Sequence, residues 1–267
     1  MKLSRVIAIP LRQFYLYRGS AARVVPLFAW VTVDMILWGF MTKFLGGLAH
    51  TSYRFVPALL GAVLFWDFMT RVMQGVTTAF FEDVWSRNFL NVFASPITMP
   101  EYIAGLLASS IVTSSIGLVV MIAVATMAFG LSFGVYGAML FPFVMVLFLF
   151  GMALGVGTTA IVLRLGPAAD WFVWPIHAIL SPFAAVYYPL STLPAPLQWI
   201  SRLLPPSYIF EGMRAVVAGH HFPLAMLAAA FALAFAYILL AYWFFARVFR
   251  HAVRTGLIAR YSAETIS

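Results

Sequence analysis

Three ionisable residues fall inside otherwise apolar runs of this chain. Asp34 lies within Val24–Leu45, and Asp67 and Arg71 lie within Phe55–Phe80. A charge buried among apolar side chains is costly, so such groups face a packed interior or a wet cavity and serve as ion pairs or proton relays. Asp67 and Arg71 are four apart, the spacing at which two side chains on one helix face neutralise each other. Asp34 has no neighbour of that kind and reads either as a packed structural carboxyl or as a proton carrier. Glu211 and Arg214 are three apart and can also bond on one face. Alternatively, Arg214 reaches a second copy of the chain, or both side chains extend separately to water. His220 and His221 are adjacent, so on a helix their imidazoles point apart, and no carboxylate stands nearby to complete a metal site. None of G-x-x-x-x-G-K-[ST], H-E-x-x-H or G-x-S-x-G occurs, so no catalytic, cofactor-binding or metal-binding residue is assigned.

The elements around these residues follow from the apolar runs. Hydrophobic residues make up 64% and charged residues 9% of the 267, against about 25% charged in soluble domains. Sixty-two residues between Glu101 and Arg164 contain no Asp, Glu, Lys or Arg. That is too long for one membrane-crossing helix of about 20 residues and suits two, divided at the turn-forming Gly130-Leu-Ser-Phe-Gly134. Phe141 to Phe150 does not alternate in polarity, which excludes a barrel strand. The fold class is therefore all-α, a polytopic membrane protein of one domain over 1–267. Six spans are predicted, at Val24–Leu45, Phe55–Phe80, Ile103–Phe129, Val135–Leu163, Trp171–Leu190 and Leu224–Val248. With the N-terminus inside, the inner side collects Lys2, Arg5, Arg12, Arg18, Arg23, Arg87, Arg164, Arg247, Arg250, Arg254 and Arg260. The outer side holds only Lys43, Arg54, Arg202 and Arg214. This asymmetry puts both termini in the cytoplasm. It also accounts for the +8 net charge without a nucleic-acid partner. Arg5, Arg12, Arg18 and Arg23 interrupt any signal-peptide core, and the lack of cysteine leaves no disulfide to staple an external loop.

Three segments do not span. Within residues 1–20, Leu3, Ile7, Leu11 and Phe14 share one helical face, and Lys2, Arg5 and Arg12 share the opposite one. This suits an interface helix with its basic side toward lipid headgroups, which Pro10 could kink. Residues 81–96 are predicted as one helix between spans two and three. It has a stripe of Phe81, Trp85, Phe89 and Val92, a polar remainder of Glu82, Asp83, Arg87 and Asn91, and a stop at Ser95-Pro96. It is longer than a connection requires, which makes it a docking surface or an idle interfacial helix. In residues 195–217, an apolar stretch is broken by Pro205 and Pro206, as expected of a re-entrant or interfacial helix pair with Pro206 in the first turn of the second helix. Gly151 and Gly155 form a small-xxx-small face for close helix packing.

These pieces occur in an order that resembles the permease subunits of ABC-2-type exporters. The resemblance rests on Phe93-Ala-Ser-Pro-Ile97 with Glu101, on Tyr188-Pro-Leu-Ser-Thr-Leu-Pro194, and on Leu204-Pro-Pro-Ser-Tyr208 through Glu211 to Arg214. It implies a subunit that forms an export pathway in the plasma (inner) membrane of a bacterium, paired with a second copy and docked on a separate cytoplasmic ATPase. ATP and Mg would be bound by that ATPase, and this chain would hold no cofactor. The resemblance casts 81–96 as the coupling helix, with Phe81, Glu82, Asp83, Trp85, Arg87 and Phe89 as its contact residues. It casts 195–217 as the external gate, with Pro205, Pro206, Glu211 and Arg214. It assigns no role to Asp34, Asp67 or Arg71.

Aromatic-rich spans suit an amphipathic cargo: a lipid-linked or chain glycan, or a hydrophobic drug. An ATP-independent channel or secondary transporter, and an intramembrane enzyme, are the competing classes. The purified chain is expected to show no ATP turnover above a detergent blank. Robust hydrolysis without a second polypeptide would exclude a division of labour between permease and ATPase.

Overall fold

The structure is a computed structural model and describes residues 2–48, 55–86, 89–166 and 169–256. Eleven α-helices are described: α1 Leu3–Arg18, α2 Ala21–Leu48, α3 Phe55–Trp85, α4 Phe89–Ala94, α5 Met99–Phe129, α6 Leu140–Leu165, α7 Asp170–Val173, α8 Pro175–Phe183, α9 Ala195–Arg202, α10 Pro205–Val217 and α11 Leu224–Thr255. No strand occurs among the described residues. Among the described residues, three segments are long and apolar enough to cross a membrane: Met99–Phe129, Phe133–Leu165 and Leu224–Thr255.

Local signals set the helix ends. Thr98 and Glu101 form a reciprocal capping box at the start of α5, with Pro100 in its first turn. Gly130 stops the same helix at φ 68°, a left-handed conformation that an L side chain resists. The chain then passes through a short 3₁₀ segment, Phe133–Met139, into α6.

Two buried clusters define the two ends of the bundle. The near end joins Ile9 of α1, Phe80 of α3, Tyr102 of α5, Leu163 of α6 and Phe245 of α11. The far end joins Leu60 of α3, Met121 of α5, Phe143 of α6, Phe210 of α10 and Ala230 of α11. Thus α3, α6 and α11 run from far to near, and α5 runs from near to far. The pair α7–α8 also starts at the near end, where Val173 is buried, and leads to Ala184 and Val186 at the far end.

At the centre, α6 packs most extensively on α11 and α3. The glycines of α6 permit the second contact. A Cβ on Gly151 would lie 2.7 Å from the Met69 carbonyl oxygen, and one on Gly155 would lie 2.7 Å from Val76 Cβ. The small-xxx-small face is therefore a packing surface against α3. Gly157 faces open space and takes no part in it.

Three expectations are corrected. The fifth span, expected over Trp171–Leu190, ends as a helix at Phe183. Its roughly 14 helical residues rise only about 21 Å, short of a hydrocarbon core of about 30 Å. The expected single helix over 81–96 is two pieces. Phe81 to Trp85 are the last turn of α3, and a separate short helix, α4, starts at Phe89. Arg87 lies outside the described residues. Pro10 does not interrupt α1, which is helical throughout Leu3–Arg18.

Gly155→Ala should destabilise the protein by about 1–3 kcal/mol, because α3 and α6 must move apart to admit the methyl group. Gly157→Ala, two residues along the same helix, should be neutral or slightly stabilising. Thermal unfolding of the two variants in detergent measures the contrast directly.

Candidate functional site

At the near end, α1 is held by charge. The main-chain N–H of Lys2 donates to Glu101 at 2.6 Å, and Arg5 reaches the other oxygen of that carboxylate at 3.4 Å. Thr98 also donates its N–H to Glu101, at 2.9 Å. Arg12 forms an ion pair with Asp83, whose second oxygen accepts the Tyr102 hydroxyl at 2.8 Å. Arg23 of α2 pairs with Glu82 at 3.5 Å. Burial, and after it the Glu82 carboxylate, raise the pKa of the Tyr17 hydroxyl, with Arg23 offsetting part of the effect. The basic face of α1 is therefore turned to protein carboxylates, not to lipid headgroups as expected. Its apolar residues Leu3, Ile7, Leu11 and Phe14 are exposed on the outer face.

This network redistributes the expected docking residues. Phe81 is buried, Asp83 is 1% exposed and bonded on both oxygens, and Glu82 is paired with Arg23. Only Trp85, 49% exposed and stacked on Phe81 with ring centroids 5.2 Å apart, offers an open apolar surface among the described side chains of this set. Phe89 belongs to the first turn of α4, and its side chain, like Arg87, lies outside what is described.

In the middle of the bundle, Asp34 of α2 comes close to Asp67 of α3. The charge of Arg71 acts on both. The cluster thus spans two helices, where the sequence suggested a pair on one helix and an isolated Asp34. Gly117 of α5 makes room for it, since a Cβ there would lie 3.1 Å from Arg71 Cδ.

At the far end, the chain unwinds after α8. Ala184, Ala185 and Val186 are buried, and Ala185 has φ 51°, the one positive φ of a non-glycine residue among the described residues. Their backbone groups need partners, and α10 supplies them. Arg214 donates to the carbonyls of Ala185 at 2.9 Å and Val186 at 3.2 Å, and to Glu211 at 2.8 Å. Glu211 also accepts the N–H of Leu190 at 2.7 Å. The Ser201 hydroxyl of α9 donates to the Phe183 carbonyl, and Tyr188 donates to Pro182 at 2.7 Å. Pro205 and Pro206 are buried in the first turn of α10, where a missing N–H removes nothing from the helix. The expected Glu211–Arg214 bond is present. Its larger task, clasping a stretch some 28 positions earlier, leaves no trace in local spacing.

The family described as ABC-2 type transporter matches this chain over residues 12–218. That region takes in the C-terminal part of α1 from Arg12, the near-end carboxylates, the mid-bundle cluster and the whole far-end clasp. No curated protein matches the chain.

Arg214→Gln should cost about 2–3 kcal/mol, since it strands two buried carbonyls as well as Glu211. Glu211→Gln, which keeps an acceptor for Leu190, should cost less. In a double-mutant cycle read by thermal unfolding, the double variant should lose less than the sum of the two single variants. Strict additivity would argue against the contact.

Proposed function

Because the chain belongs to the ABC-2 type transporter family and is a transport permease integral to the membrane, we propose that it is the export-pathway subunit of an ATP-driven transporter. In this reading a separate cytoplasmic ATPase binds ATP and Mg and docks at the near end. The near end is then cytoplasmic, and the far end, with its α9–α10 pair, closes the pathway outside. In this reading α2, α3, α5, α6 and α11 cross fully and α7–α8 crosses as a broken sixth span, so both termini lie inside, in keeping with the bias of basic residues. The membrane is the inner membrane of a bacterium.

The observation that carries this reading is the continuity of α3. A single helix leads from Leu60 in the far-end cluster to the exposed Trp85 at the near end. An external push on Trp85 therefore acts on a helix that also carries Asp67 and Arg71. Phe81, Glu82 and Asp83 serve the push indirectly, by fastening that turn to α1 and α2. This reading also counts Arg87 and Phe89 among the contact residues.

A second copy of the chain completes the pathway. The outward-facing Trp30, Val33, Leu37 and Phe44 of α2 are largely exposed on the protomer and suit a neighbouring copy or lipid acyl chains. The cargo is amphipathic, a lipid-linked or chain glycan or a hydrophobic drug, in keeping with spans rich in aromatic residues.

A secondary transporter driven without ATP is the second reading, favoured by the closeness of Asp34, Asp67 and Arg71 inside the spans. Transport in vesicles separates the two. ATP-driven export requires the ATPase and persists without a proton gradient, whereas the second reading reverses both requirements.

Trp85→Ala should lower recovery of the ATPase subunit in co-purification by about tenfold, as loss of an aromatic anchor does at interfaces, while the permease still inserts and folds. Unchanged recovery with lost insertion would instead make Trp85 a lipid anchor.

A further inference from the structure

The near end also carries a basic crevice that none of the interactions above uses. Arg247, Arg250, His251 and Arg254 recur along α11 at positions i, i+3, i+4 and i+7, and so share one helix face. Arg164, in the last turn of α6, joins them from the neighbouring helix. Two adjoining depressions lie there, about 170 Å³ and about 340 Å³, sharing Arg247 and His251. Phe244 and Val248 line the smaller one. Arg247 lies over the Trp243 ring at 5.7 Å, and Arg250 Nε donates to the Ala246 carbonyl at 3.2 Å, so two of the guanidinium groups are steadied against their own helix.

Basic residues at a helix C-terminus offset the helix dipole, and that alone would explain some of these. The two helix ends here, of α6 and α11, present about −0.5 charge each, which roughly one cation would balance. Four arginines are present. The ion pairs of the described residues, Arg5–Glu101, Arg12–Asp83, Arg23–Glu82 and Arg214–Glu211, involve none of them. The excess positive charge is thus available to an anion from outside the chain.

The lining selects which anion. Guanidinium groups match the paired oxygens of a phosphate, while Phe244, one turn nearer the middle of the bundle, and Val248 offer an apolar wall. A molecule with both a phosphate and an acyl chain uses the whole crevice, and inorganic phosphate uses only its basic half. We propose that this crevice binds the phosphate of an anionic membrane lipid, with the acyl chain along Phe244 and Val248, and that the bound lipid ties the end of α6 to the end of α11.

Thermal unfolding of the purified full-length chain in detergent, titrated with dioleoyl-phosphatidylglycerol, tests this. Saturable stabilisation is expected with that lipid and not with dioleoyl-phosphatidylcholine or millimolar inorganic phosphate. A basic residue near an anionic lipid contributes roughly fivefold in affinity, so R247Q/R250Q/R254Q should bind about a hundredfold more weakly. The matching R247K/R250K/R254K chain should retain most of the binding, and R202Q, altered at a remote arginine, should retain all of it. Native mass spectrometry of the same samples counts bound lipid independently of stability. The proposal is overturned if the two lipids act equally or if inorganic phosphate reproduces the whole shift. It is equally overturned if the glutamine chain keeps its affinity, or if the lysine chain loses as much as the glutamine one.

Discussion

A carbonyl inside an apolar bundle has no water to accept from, and a helix that stops there leaves several carbonyls without partners. This chain stops a helix in that position, at Phe183, and the far half of the structure is arranged around the consequence. Arg214 gives two donors to the unwound backbone and a third to Glu211, which in turn receives Leu190. Ser201 takes the Phe183 carbonyl. The α9–α10 pair is therefore the second half of the broken span, the part that makes its irregular backbone tolerable. The burial of Phe210 and Met213 in the far-end cluster holds α10 where the guanidinium can reach.

The near end solves a different problem with the same chemistry. An amphipathic helix lying in a membrane interface is free to rotate and drift unless something fixes it. Here Glu101 accepts from the backbone of Lys2 and from Arg5, and Asp83 accepts from Arg12 and Tyr102. Each carboxylate emerges from the end of a long helix, α5 or α3, so α1 is registered to two elements that run through the bundle. Glu101 also caps its own helix through Thr98. One side chain thus begins α5 and anchors α1.

The long apolar segments, the amphipathic first helix, the glycine-mediated packing of α6 and the Glu211–Arg214 bond were all legible as local periodicity or spacing. What was not legible depended on partners far away in sequence. The apolar run of the fifth span continues past Phe183 to Leu190, so composition extends the helix. Past Phe183 the chain unwinds instead, and Arg214 of α10 donates to the Ala185 and Val186 carbonyls. Phe81 and Trp85 show the helical period expected of a separate docking helix, but that period is in phase with α3, and the same residues simply prolong it. Asp34 and Asp67 are 33 positions apart, and only the packing of α2 on α3 brings them together. Arg5 and Arg12 looked like residues for lipid phosphates because their carboxylate partners lie on the far side of two spans.

The unbroken run of α3 has a mechanical consequence. At 31 residues it is a rod of about 46 Å, with no proline beyond its first turn. Such a rod does not flex in response to a sideways force at one tip; it pivots. Its fulcrum is where Gly151 and Gly155 bring α6 into backbone contact, around Met69 to Val76. A displacement of Trp85 in one direction would then carry Leu60 and Pro57 in the other. Tyr136, hydrogen-bonded to the Pro57 carbonyl at 2.6 Å, ties the loop between α5 and α6 to the opposite arm, so that loop would move in counter-stroke to the near end.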